Sequence, residues 1–182
     1  MPIIKTLRED ILRKSEIDSM LERAKTSMER ALIAVLWLFG KRISEVLKIR
    51  RQDTWIESGY LYVRFVVLKK PNRKEHPTEK YYLKRIKADH PYVQHISDYA
   101  KSLNPPDLLF PFSRTKAWRL LKKINPNVYP HFFRESLATH MAERGGTEFE
   151  LMHWFDWDRY DTAAKYVKRG TKLIEKWSDR EF

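Results

Sequence analysis

Apolar residues recur every three or four positions from Ile17 onward, first as Ile17, Met20, Leu21 and Ala24, then as Met28, Ala31, Leu32, Val35, Leu36 and Phe39. That spacing lines one face of an α-helix and predicts two helices, with Gly40 stopping the second. A third helical segment, 43–49, follows at once, with Arg42 at its start and Glu45 a turn further on. Between Tyr60 and Leu68 the chain becomes β-branched, aromatic and apolar, and Lys69-Lys70-Pro71-Asn72 separates this run from Tyr81–Leu83. The pattern predicts a hairpin with a basic loop.

Pro91 opens a helix whose apolar face is Val93, Ile96, Tyr99, Ala100 and Leu103, closed by Asn104-Pro105-Pro106. Leu108 to Pro111 reads as a short buried connector. Ser113 suits the N-cap of a helix bearing Trp118, Leu121 and Ile124. A helix from about His131 to Arg144, ended by Gly145-Gly146, precedes a Thr147-capped helix through Phe155. A last amphipathic piece carries Leu173, Ile174 and Trp177. No internal repeat or interdomain linker interrupts the pattern, so the expectation is one mainly α-helical α+β domain over 1–182 with a small antiparallel sheet.

Composition narrows the partners. The 182 residues are 42% hydrophobic and 33% charged, enough for a packed core under a solvated surface, and the formal net charge of +12 favours a polyanion such as DNA. The absence of cysteine excludes disulfides, thiolate metal sites and a cysteine nucleophile. The longest apolar run, Ala31 to Phe39, falls well short of the ~20 residues that span a bilayer. The first residues carry no secretory pattern, so a cytoplasmic, DNA-associated protein is expected, in a host cytoplasm if virus-encoded. Six histidines are present, but no His-Glu-x-x-His box or carboxylate cluster points to a metal, and no cofactor is expected.

The chemistry-bearing residues are scattered. In His131-Phe132-Phe133-Arg134, a histidine and an arginine three apart on a helix face the same way, a weak signal alone. The stretch continues as Glu135-Ser136-Leu137-Ala138-Thr139-His140, with Gly145, Thr162 and Tyr166 beyond it. Upstream stands Gly40-Lys41-Arg42-Ile43-Ser44-Glu45-Val46-Leu47, with Asp53 following. These two boxes, in this order and with a basic hairpin between them, resemble the tyrosine recombinase (phage integrase) family over roughly residues 15 to 170.

The resemblance implies the catalytic-domain fold of that family and a reaction on double-stranded DNA through a 3′-phosphotyrosyl intermediate. It makes Arg42 and Arg134 the clamp on the scissile phosphate, a role that suits a rigid, permanently charged guanidinium fork. Tyr166, 32 residues after Arg134, takes the nucleophile's position, with Thr162 one turn before it and Tyr160 as a nearby competitor. A phenol with a pKa near ~10 needs cations beside it to become reactive. His131 assists proton transfer, and Lys69 or Lys70 protonates the departing 5′ oxygen. Glu45 is a supporting partner for an arginine.

Trp157 fills the family's second histidine slot, where its indole N–H can donate but cannot shuttle a proton. Asp156 stands where glycine is usual, and Glu135 where histidine is frequent. The family's N-terminal clamp domain is expected to be absent, residues 1–14 being too few to form it. Residues 171–182 are expected to form a tail helix docking in cis or in trans. The implied assembly is a homo-oligomer, tetrameric on DNA and monomeric or dimeric when free. Type IB topoisomerase-like relaxation and a non-catalytic DNA-binding regulator stand as alternatives.

Overall fold

The computed structural model describes residues 11–67 and 81–170. Eight helices are assigned there: α1 (Lys14–Arg23), α2 (Ser27–Phe39), α3 (Ile43–Val46), α4 (Val93–Lys101), α5 (Arg114–Ile124), α6 (Pro130–Glu143), α7 (Glu148–Phe155) and α8 (Tyr160–Gly170). None of them is long and apolar enough to cross a membrane. The caps expected at Ser113 and Thr147 form, and Thr26 caps a further helix. Thr26 and Glu29 make reciprocal side-chain to backbone bonds at the start of α2, and Thr147 and Glu150 do the same for α7. Ser113 accepts from the Lys116 N–H at 3.2 Å to open α5.

Helix α2 is the axis of the fold. Ala31 through Leu36 are wholly buried and Phe39 with them, so apolar residues that would form one stripe on a surface helix here surround the whole helix. It packs against α1, α4 and α6. Truncating Leu32 to Ala at such a site costs about 2–5 kcal/mol. A second, smaller apolar cluster joins Ala138 and Ala142 of α6, Leu151 and Phe155 of α7, and Ala163 and Tyr166 of α8.

The sheet is larger than the expected hairpin. Strand β1 (Thr54–Glu57) precedes β2 (Tyr60–Val66) and β3 (Tyr81–Lys87), and all three pair antiparallel in the order β1-β2-β3, with Thr54 opposite Val63 and Leu61 opposite Ile86. The turn between β1 and β2 is Ser58-Gly59, both at positive φ (49° and 79°), the two-residue geometry that matches strand twist. Four residues are too few to show alternation, which is why β1 escapes a periodicity reading. Along β2, Leu61, Val63 and Phe65 point into the core. Tyr62 points outward, where its ring stacks on Trp55 at 5.4 Å.

The helix expected over 43–49 is shorter, because after Val46 the chain turns into an extended segment. There Ile49 and Arg51 exchange backbone bonds with Leu109 and Asp107. The basic loop with Lys69 and Lys70, and the tail 171–182, lie outside the described residues.

Candidate active site

The site grows from the corner between α2 and α3. Gly40 ends α2 with φ 57°, and a Cβ there would stand 2.8 Å from the Phe155 ring and 2.9 Å from Leu137. Only glycine meets both demands, and α7 can therefore press directly on the corner. Arg42 immediately follows, with more than half of its side chain exposed (53%). Its Nη1 lies 3.3 Å from Glu45 Oε1, while the other Glu45 oxygen accepts the Arg42 backbone N–H at 2.9 Å. Glu45 thus fixes both the start of α3 and the arginine's direction.

Arg134, on α6, is its opposite, only 2% exposed. Its Nη1 donates to the Gly40 carbonyl at 2.9 Å and its Nη2 to the Phe155 carbonyl at 2.7 Å. The guanidinium lies 5.0 Å from the Phe155 ring and 5.4 Å from the Trp157 ring. Burial first, then the nearby Arg42 charge, push its pKa down to about 10, against the pull of Glu45, Asp156 and Tyr166. The two arginines therefore share one electrostatic neighbourhood.

Phe155, Trp157 and Tyr166 form a ring stack, with centroids 4.8 Å apart between the first two and 5.2 Å between the last two. Tyr166 is 6% exposed. A cleft of about 570 Å³ opens beside the stack, lined by Arg42, Glu45, Tyr82, Trp157, Arg159 and Thr162 among others. The structure thus gathers Arg42, Glu45, Trp157 and Thr162 at one opening, with Arg134 and Tyr166 immediately behind the Trp157 ring.

His131 is not among the residues lining the cleft. It lies 3.4 Å from Glu135 with its side chain largely exposed. Three residues apart on α6, His131 is largely exposed while Arg134 is buried. Tyr160 sits apart, packed on Phe149, and its hydrogen bond with Glu148 pushes its phenol above the ordinary value. His140 bonds the Leu12 carbonyl at 2.7 Å. Among the described residues no group of three or more His, Asp or Glu side chains is arranged to hold a metal.

Asp156, standing where glycine is usual, caps α7 in the left-handed region (φ 54°, ψ 47°), where aspartate is better tolerated than most side chains. Its carboxylate meets two buried lysines, Lys41 and Lys84. Neither lysine was singled out from the sequence. Lys84 carried a signal, because it shares the inward side of β3 with Tyr82 and Ile86, while Lys41 at a helix end reads as a surface charge.

The architecture is that of solved tyrosine recombinases. The chain is similar to the crystal structure of XerA recombinase, with a TM-score of 0.69 and 17% identity over 95% of this chain and 65% of that one. It is likewise similar to the XerH site-specific recombinase bound to difH substrate (TM-score 0.65, 18% identity, 94% and 53% covered). The sequence profile of the phage integrase family matches residues 10–172, and the chain belongs to that family. Among curated relatives, the tyrosine recombinase XerA of Pyrococcus horikoshii is 31% identical over 174 residues, covering 90% of this chain and 58% of the relative. The chain therefore spans little more than half the length of that relative.

Proposed function

We propose that the chain is the catalytic part of a site-specific DNA recombinase that cleaves and rejoins double-stranded DNA through Tyr166. The carrying observation is that Arg134 and Tyr166 both lie against the ring of Trp157, which lines an open cleft together with Arg42. In this reading the Tyr166 oxygen attacks the phosphorus. A 3′-phosphotyrosyl ester forms, the bond to the 5′ oxygen breaks, and that oxygen leaves as a hydroxyl. Resealing reverses the step, so the energy of the phosphodiester is conserved.

Two of the five N–H groups of Arg134 are committed to carbonyls, leaving three to meet a phosphate, and Arg42 is free of the core to reach the same group. Their fixed charge is worth most at the pentacoordinate transition state, where negative charge accumulates. His131 and one of Lys69 and Lys70 take the proton-transfer roles, with Trp157 walling the pocket and Thr162 at its rim. Tyr166 is 6% exposed and stacks on Trp157 at the cleft wall, and the reading requires its phenol oxygen to be presented to a phosphate in the cleft. Assembly on DNA as a homo-oligomer belongs to the same proposal. With a net charge of +12, binding is expected to weaken steeply with salt, through release of counterions from phosphates.

Incubation with nicked duplex DNA in EDTA, followed by denaturation, tests the reading. The expected result is a covalent protein–DNA adduct that is lost in Tyr166→Phe. The burial of Tyr166 favours one other reading, a DNA-binding regulator without cleavage. DNA binding with no adduct under any condition would establish that role instead.

A further inference from the structure

At the wall of the cleft, where Asp156 and Tyr82 reach its lining, stands a charged cluster that the proposed chemistry does not use. Lys41, 1% exposed, donates from Nζ to the Trp154 carbonyl at 3.0 Å and pairs with Asp156 Oδ2. Lys84 donates to the His153 carbonyl at 2.7 Å and lies 3.3 Å from Asp156 Oδ1. One carboxylate thus bridges two lysines, and the rings of Phe65, Tyr82 and Trp154 lie 5.4–5.8 Å from their ammonium groups. The three residues come from the α2–α3 corner, from β3 and from the end of α7.

Burying three charges yields little net stability, because desolvation offsets most of the attraction. The yield is geometric. Lys41 is covalently next to Arg42. Asp156 stands between Phe155, whose carbonyl holds Arg134, and Trp157, whose ring covers Tyr166. Two further bonds run the same way, from Arg134 to the Gly40 carbonyl and from Trp154 Nε1 to the Phe39 carbonyl at 3.2 Å. Segment 39–41 is therefore stitched to segment 154–156, and the charged cluster ties that seam to the sheet. The left-handed backbone of Asp156 is held in place by a carboxylate anchored at both oxygens.

We propose that Lys41, Asp156 and Lys84 form a buried ionic latch that sets Arg42 and Arg134 in register with Trp157 and Tyr166. The three are positioning residues, and their link to catalysis rests on the recombinase reading above. The discriminating variant is K41M/D156G. Methionine keeps much of the length of lysine, glycine accepts the backbone of position 156, and Lys84 retains the His153 carbonyl.

Two measurements on the full chain decide the matter. In ¹⁵N-edited NMR spectra, with the Trp157 indole signal assigned through W157F, the latch predicts a shifted or broadened Trp157 signal while the melting temperature stays within about 4 °C of wild type. In single-turnover reactions at saturating nicked DNA, adduct formation is expected to slow about ten-fold or more, as misplacement of reacting groups does, with little change in DNA affinity. D156N, which keeps one carbonyl oxygen as acceptor, is expected to fall between the two, and carries both measurements if the double variant fails to fold. An unmoved Trp157 signal overturns the latch, and a moved signal with a native rate overturns its role in catalysis. If wild type itself forms no adduct, the recombinase reading fails, while the indole signal still decides whether the latch exists.

Discussion

The α3 side and the α6–α7 side of the candidate site each present one arginine, and the two live in opposite surroundings. Arg42 is anchored by Glu45 and more than half exposed, whereas Arg134 is buried and spends two donors on the carbonyls of Gly40 and Phe155. The same guanidinium therefore does different physical work in each place. At α3 it is an exposed charge that the proposed reading gives to a phosphate; at α6 it is the pin joining two backbone segments. Function and stability should be separable at the first position and inseparable at the second.

The largest effect is expected at the pin. Arg134→Met leaves the Gly40 and Phe155 carbonyls buried without their donors, and should lower unfolding free energy by about 2–5 kcal/mol in urea melts. It should also cut adduct formation by about 10²–10³-fold, the usual scale for a lost transition-state donor. Arg42→Met sharpens the contrast: a comparable loss of adduct, with stability lowered by about 1 kcal/mol or less, since the arginine is more than half exposed and the buried Glu45 still accepts the backbone N–H of residue 42. Should both variants melt alike, the division between a free charge and a structural pin is wrong.

Gly40→Ala breaks the seam from the backbone side. It combines a left-handed φ with a Cβ at 2.8 Å from Phe155, and should destabilise by about 1–3 kcal/mol in thermal or chemical melts. The smallest effect concerns pH. Burial pushes Lys41 down to about 8 even though Asp156 supports its charge. The unfolded chain keeps this lysine protonated until near 10.5, so between those values the unfolded state holds the extra proton and raising pH favours folding. Between pH 8 and 10, wild type should gain on K41M by up to about 1 kcal/mol per pH unit in paired urea titrations, and parallel curves would show that Lys41 does not titrate in this window.

Sequence alone determined much of this protein, because helices and caps are written locally. The apolar spacing of α2, the caps at Ser113 and Thr147, and the stop at Gly40 all follow from neighbours within a turn or two. The two arginine boxes were legible as well, since residue type and order carry them. Tertiary structure decided what depends on distant segments meeting. It decided that β1 adds a third strand, that His131 faces Glu135 and solvent while Arg134 turns inward, and that Tyr166 lies under Trp157. The buried cluster is the clearest case. Lys41 and Asp156 are 115 residues apart, and a lysine reads as solvated until the fold supplies the carboxylate and the aromatic walls that hold it inside.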